Sequence, residues 1–323
     1  MSAEEEEDMV GVVVPMLNAE RTIAATLDSI CRQTYRKLDI VVVDDGSTDS
    51  SVAIVDGKIR QDRRVRMIRQ PNAGVAAARN AGAAGTAAAF LAFVDADDLW
   101  APTKIEFQLD ALKRGGPRAG LAYCWFASID QSDQVVSFGP QPLFDGDAMA
   151  ALCDSNWIGN GSSLLVRRSA FDKAGGYDTA LRAQGAQGAE DLLICFRIAE
   201  HFTFAVVPRY LVGYRARPDS MSHDALQLFR STRLVLAEYL GKFPQHAAKL
   251  DHHLQAARQW YAYRAAAAGR RSDARILMTE ALQHRPLAAT WHFAGVALGI
   301  ARGRLQRRLG RPAPLPLYTE TIW

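Results

Sequence analysis

Carboxylates stand at the ends of apolar runs along this 323-residue chain. "LDIVVVDDGS" closes on Asp44 and Asp45, and "FLAFVDADDLW" carries Phe90 to Val94 straight into Asp95, Asp97 and Asp98. "AEDLLICFRIA" opens a helical pattern on Glu190 and Asp191, where the helix dipole favours ionised carboxylates. Crowded like charges repel, so each cluster needs a cause. One cause is local: acids before Gly46 form a turn, acids before Pro102 cap a helix, and Glu190 with Asp191 make an ordinary first-turn pair. The other is chemical: a cation, or a ligand carrying one, offsets the repulsion. Hard oxygen donors suit Mg²⁺ or Mn²⁺, which need few protein carboxylates and retain waters.

The elements around these acids alternate. "VGVVVP", "LDIVVVDD", "VRMIRQ" and "AAFLAFVDADD" read as strands buried on both faces, separated by helical patterns such as "TIAATLDSICRQ" and the Ala-rich "AGVAAARNAGAAG". That alternation predicts a mainly parallel central sheet with crossover helices. Ligands bind at the carboxyl ends of such strands, where Pro15, Asp44, Asp45, Asp95 and Asp97 all fall. Past Pro102 strands and helices mix up to "TFAVVPRYLVGYRA", and from about Asp224 the pattern is helical. The expected organisation is an acidic leader over 1–9, an α/β domain over 10–222, an all-helical appendage over 223–310 and an extended Pro-rich tail over 311–323.

Composition is that of a globular protein, 49% hydrophobic and 23% charged, but the charge is uneven. Residues 1–223 carry 23 Lys and Arg against 29 Asp and Glu, and residues 224–323 carry 15 against 6. The basic part faces a different partner from the acidic front. In "WHFAGVALGIARGRLQRRLGR" an apolar stretch runs into five arginines, which suits either an interfacial helix on an anionic bilayer or a packed helix with a solvated basic end. The leader has no basic or apolar signal region, and no apolar run reaches membrane-spanning length. A cytoplasmic protein, with peripheral contact at the inner face of the membrane as one option, is the expectation. The four dispersed cysteines, Cys31, Cys124, Cys153 and Cys195, read as reduced thiols.

"VVVPMLNAERTI", "VVVDDGSTDSS", "NAGVAAARNAG", "FVDADDLW", "GGYD" and "AEDLLICFRIA" occur in the order found in glycosyltransferase family 2. Residues 10–222 thus resemble an inverting enzyme with the GT-A fold. The resemblance implies transfer of a sugar from a nucleotide-diphosphate donor to a hydroxyl of a glycan, lipid-linked or protein acceptor, without nucleic acid. Asp95 would lie near the ribose, and Asp97 would ligate Mg²⁺ or Mn²⁺. Asp98 would be a helix cap or a support for its neighbours. Asp45 would accept a hydrogen bond from a base N–H, which favours UDP- or dTDP-sugars, whereas Asp44 reads as turn chemistry. Pro15 and Glu20 match donor-loop positions, and Leu17 stands where the family often has an aromatic residue. Arg79 either reaches the nucleotide or stays a solvated helix arginine. Gly175 and Gly176 would face the acceptor or simply end a helix, with Glu190 beside them. Asp191 matches the catalytic base. Tyr214 and Arg215 would approach the diphosphate, and His223 is either a further metal ligand or an exposed linker histidine.

Two rival readings remain. A sugar-1-phosphate nucleotidyltransferase shares an α/β nucleotide-binding sheet but opens on a Gly-rich, basic loop, which "VVVPMLNAERTI" is not. A sugar-nucleotide-binding scaffold has no need of Asp45, Asp95, Asp97 and Asp191 together.

Overall fold

The first strand, β1 (Val10–Met16), reads VGVVVPM and is buried at all seven positions. A run without alternation survives only where layers cover both faces of a sheet. The computed structural model describes residues 9–215 and 224–284. After β1 come α1 (Ile23–Cys31), β2 (Leu38–Asp44), α2 (Ser51–Gln61), β3 (Val65–Arg69), α3 (Val75–Ala84) and β4 (Phe90–Phe93). β1 is parallel to both β2 and β4, and β2 is parallel to β3, giving the order β3-β2-β1-β4. The chain therefore leaves β1 on one side and returns on the other. That reversal opens a crevice at the carboxyl ends of the strands, the usual ligand position in open α/β sheets.

The register brings two acids to β1. The N–H of Asp45 donates to the Met16 carbonyl at 2.8 Å, and Val94, one residue before Asp95, donates to the Val13 carbonyl at 3.1 Å. Asp45 and Asp95 thus flank the end of one strand.

Beyond β4 come β5 (Leu99–Trp100), α4 (Lys104–Arg114), β6 (Ala119–Ile129), β7 (Val135–Phe138), α5 (Met149–Asp154), β8 (Leu164–Arg167), α6 (Arg168–Lys173), α7 (Ala180–Ala183), α8 (Glu190–Ala199) and β9 (Thr203–Arg215). β8 joins β4 and β6 antiparallel, β9 runs parallel to β6, and β5 pairs antiparallel with β9. β7 folds back on β6. The sheet is thus parallel from β3 to β4 and mixed beyond β4.

Three helices follow: α9 (Ala225–Lys242), α10 (Ala247–Ala267) and α11 (Arg271–His284). α9 and α10 share the main core, and α11 packs on them in a smaller cluster of its own through Ala274 and Leu277. Val235, Leu236, Tyr239 and Leu250 belong to the same buried cluster as Val13, Phe93, Leu121 and Phe196. Tyr239 stacks on Phe196 of α8 with ring centroids 4.1 Å apart. Among the described residues no helix is long and apolar enough to cross a membrane. The leader, His223 and the basic stretch over 291–311 lie outside the described residues.

Helix α3 lies close on the sheet because its inner face is small. Ala76, Ala78, Gly82 and Ala83 are buried. A Cβ at Gly82 would sit 2.3 Å from Val13 Cγ1, deep in the core. Gly82→Ala should destabilise the protein by about 1–3 kcal/mol through overpacking, despite alanine's better helix propensity. Urea unfolding measures this, and an unchanged midpoint would mean that the helix can lift without penalty.

Candidate active site

Asp45 is almost wholly enclosed. Its Oδ1 accepts from Gln70 Nε2 at 2.7 Å and the Ala73 N–H at 2.8 Å, and its Oδ2 accepts from the Gly74 N–H at 2.8 Å. A carboxylate has about four acceptor sites. Three are used by the loop leading into α3, and one on Oδ2 is left. Asp44 stays in the turn, accepting from the Ser47 N–H at 2.9 Å and pairing with Arg69 Nε at 3.3 Å.

The acids of "DADD" separate in role. Asp98 is fully buried but caps no helix: it accepts from Ser162 Oγ at 2.6 Å and the Arg215 N–H at 2.9 Å. Burial, with the charges of Asp97 and Asp95, raises its carboxyl well above the usual range. Ser162 Oγ also lies 3.1 Å from the Asp95 N–H, which donates to it. Arg215 holds the segment from the other side. Its Nε donates to the Asp97 carbonyl and its Nη1 to the Asp130 carbonyl, both at 2.7 Å, while Nη2 pairs with Asp133 at 2.5 Å. Although Arg215 lines the cavity, its guanidinium is engaged in fixing the Asp97 backbone.

Arg79 joins the two halves. It projects from α3 with its side chain only 4% exposed, and it is not a solvated helix arginine. Nη2 contacts Asp95 Oδ1 and Nη1 contacts Asp191 Oδ1, each at 2.7 Å. The guanidinium also lies 5.0 Å from the centre of the Tyr177 ring. Asp191 stands in the first turn of α8. Burial raises its carboxyl above the ordinary aspartate range, the Arg79 charge opposes that rise, and Asp95 adds to it. Glu190 is likewise raised by burial and accepts from the Gly188 N–H at 2.8 Å. Glycine at 161 lets backbone pass: a Cβ there would fall 2.6 Å from Asp191 Oδ1 and 3.0 Å from Arg79 Nη2.

One cavity of about 580 Å³ gathers Pro15, Leu17, Asp45, Arg79, Asp95, Asp97, Glu190, Asp191, Tyr214 and Arg215. Glu20 is not in its wall. Its Oε2 accepts from the Ser50 N–H at 3.0 Å at the start of α2. Gly175 and Gly176 are outside the wall too, with φ of 77° and 71° just past the end of α6. They lead into Tyr177, whose backbone exchanges two hydrogen bonds with the Asn80 side chain of α3. Leu17 is 46% exposed at the rim. Asn160 also lines the wall, as do Leu228, Tyr261 and Arg264 from α9 and α10, none of them marked by a motif. The Asn- and Gly-rich "SNWIGNGSS" was the available signal for the first; helical periodicity could not reveal the others.

Among the described residues no group of three or more His, Cys, Asp or Glu side chains could hold a metal ion. With Asp98 engaged by Ser162 and Arg215 and Asp95 by Arg79, a cation in this cavity would take most of its ligands from outside the protein.

A family model described as glycosyl transferase family 2 matches residues 11–175, half of the chain. The chain belongs to glycosyl transferase family 2. Its curated relatives are named as glycosyltransferases, and the chain spans only 13%, 26% and 33% of the length of three of them. EpsH of Bacillus subtilis is 28% identical over 258 residues, which cover 77% of this chain and 72% of EpsH. The glycosyltransferase GlyA of Streptococcus pneumoniae is 45% identical over 92 residues, and that match spans only 13% of GlyA. TarS of Staphylococcus aureus, solved with UDP, superposes with a TM-score of 0.59 at 18% identity over 96% of this chain and 94% of that one. A mannosyltransferase of Pyrobaculum calidifontis, solved with GDP-Man and Mn²⁺, gives 0.58 at 22% identity over 90% and 86%. Both likenesses show the GT-A fold.

Removing the Asp98 carboxylate leaves Ser162 Oγ and the Arg215 N–H without their partner beneath the site. Asp98→Ala should therefore cost about 2–4 kcal/mol of stability. Denaturant unfolding that shows no loss would mean that this carboxylate does not hold β4, β9 and the 160–163 turn together.

Proposed function

We propose that the protein is an inverting, metal-dependent glycosyltransferase that moves a sugar from a UDP- or dTDP-sugar to an acceptor hydroxyl in glycan, polysaccharide or glycoconjugate synthesis. The observation that carries this reading is the Arg79 bridge, which sets the strand-end acid Asp95 and the helix acid Asp191 around one guanidinium in one cavity. A donor-side carboxylate and a proton acceptor within one side chain of each other fit a single displacement. Asp45 supports the pyrimidine donor, because the acceptor site left on Oδ2 matches an imide N–H. The UDP- and UDP-GlcNAc-bound forms of TarS are consistent with that choice.

In the proposed reaction the acceptor hydroxyl gives its proton to Asp191 as its oxygen attacks the anomeric carbon from the face opposite the diphosphate. The bond from that carbon to the diphosphate oxygen breaks in the same step, and no glycosyl-enzyme forms. When bound, Mg²⁺ or Mn²⁺ at Asp97 would neutralise charge developing on the leaving diphosphate. Arg215 fixes the backbone of Asp97, and Arg79 fixes Asp95 and orients Asp191. His223 remains a candidate further ligand on the sequence reading alone. A sugar-1-phosphate nucleotidyltransferase would release pyrophosphate, whereas this reaction releases a nucleoside diphosphate.

Asp191→Asn keeps size and removes basicity, so transfer should fall about 10²- to 10⁴-fold while nucleotide binding survives. Product assays with the purified protein, read beside Glu190→Gln, test the assignment: a nearly normal Asp191→Asn enzyme with an inactive Glu190→Gln enzyme would move the base by one residue. The pH profile supplies a second check. Asp191 must be ionised to accept a proton, and burial raises its pKa, so the acid limb of kcat/KM should lie above the ordinary aspartate range. Arg79 lowers that pKa, so Arg79→Gln should move the limb to higher pH as well as slow turnover. A limb that stays put, or moves to lower pH, would show that another group titrates.

A further inference from the structure

Asn160, the residue that opens the 160–163 turn, lines the cavity together with Asp95 and Asp191. The Asn160 side chain is fixed from one end only. Its Oδ1 accepts from both the Ser163 N–H and Ser163 Oγ at 3.0 Å. A backbone N–H can only donate, so the oxygen must be the atom facing Ser163, and the amide nitrogen must face away. The residue is 5% exposed, lines the cavity, and its Nδ2 has no hydrogen-bond partner. Buried amide nitrogens are nearly always paired, and an unpaired one carries a penalty of the size of a lost hydrogen bond.

Position narrows what could remove that penalty. The next residue, Gly161, lies against Asp191 Oδ1 and Arg79 Nη2, and Ser162 accepts from the Asp95 N–H. One short turn therefore touches the donor-side acid and the candidate base. The transferred sugar must sit in the cavity beside those two carboxylates if the proposed reaction is right. A sugar ring offers hydroxyl oxygens, which accept hydrogen bonds from an N–H. Diphosphate and nucleobase, by contrast, belong nearer Asp97 and Asp45.

We propose that Asn160 is a specificity-determining residue that donates its Nδ2–H to a hydroxyl oxygen of the transferred sugar, with Ser163 holding the amide in that orientation. The proposal rests on the glycosyltransferase reading and adds the group that reads the sugar. A site built to bond a particular hydroxyl discriminates against the sugar lacking it, because the buried amide is then left unpaired.

The test pairs protein variants with monodeoxy donors. Nucleotide-sugar hydrolysis by the wild type first identifies the most active donor among UDP- and dTDP-hexoses. Its 2-, 3-, 4- and 6-deoxy analogues are then compared in the wild type, Asn160→Asp and Asn160→Ala. Asn160→Asp keeps the acceptor oxygen facing Ser163 and loses the N–H, so it separates sugar reading from support of the turn. Taking the ratio of parent to deoxy donor within each variant cancels the effect of the added charge on the reaction itself. In the wild type one deoxy position should lower kcat/KM by about 10- to 100-fold. In both variants that ratio should fall towards one for the same position and stay as it was for the others. A ratio that persists in Asn160→Asp overturns the proposal, as does an equal loss across every donor accompanied by equally weakened UDP affinity. Hydrolysis of no nucleotide sugar by the wild type would overturn the transferase reading first, and this inference with it.

Discussion

A buried guanidinium shared by two carboxylates holds the candidate active site together. Arg79 is stable in the interior because Asp95 and Asp191 each contact a different nitrogen at 2.7 Å. Those acids in turn tolerate proximity because the cation stands between them. Deleting any member leaves uncompensated charge in a poorly solvated place, which is far more costly than loss of a surface ion pair. The triad also crosses the architecture: Arg79 comes from α3, Asp95 from the loop after β4 and Asp191 from α8. Close approach of α3 to the sheet at Gly82, and of the 160–163 turn to Asp191 at Gly161, both serve to bring those three within reach.

Around that centre the other polar groups divide between ligand and scaffold. Asp98 and Arg215 look like site residues by type, yet their bonds are spent on structure: Asp98 on Ser162 and the Arg215 N–H, Arg215 on the Asp97 carbonyl and the loop at Asp130 and Asp133. Asp45 is partly spent, with three of its acceptor sites used on the loop that precedes α3. Asp95 and Asp191 remain partly open to the cavity although both are paired to Arg79. The ions in this crevice are thus mostly fixed before any ligand arrives, an arrangement that lowers the reorganisation required during reaction.

The first half of the sheet was legible in the sequence because its signals are local. Continuous apolar runs mark doubly covered strands, and acids at their ends mark the carboxyl edge, so Asp45, Asp95 and Asp97 follow from pattern and connectivity. The second half was only partly legible. "GGYD" carries a glycine signal, but its glycines end α6 and seat Tyr177 on Asn80 rather than lining the cavity. Arg79 has the same letters whether it faces water or two carboxylates, since Asp191 is 112 residues away in sequence. Leu228, Tyr261 and Arg264 were invisible for a related reason: periodicity tells which face of a helix is apolar, never which element it meets.

The shared core of α8, α9 and α10 also bears on how the molecule is made. Ser231 of α9 accepts from the Ala189 N–H at 3.1 Å, just before Glu190 and Asp191, and Tyr239 covers Phe196. The strands carrying Asp45 and Asp95 have their neighbours β1 to β4 in hand once the first hundred residues have left the ribosome. The helix that presents Asp191 has to wait for a segment synthesised some forty residues later. Assembly of the candidate site is therefore ordered in time, with Asp45 and Asp95 available first and Asp191 set last.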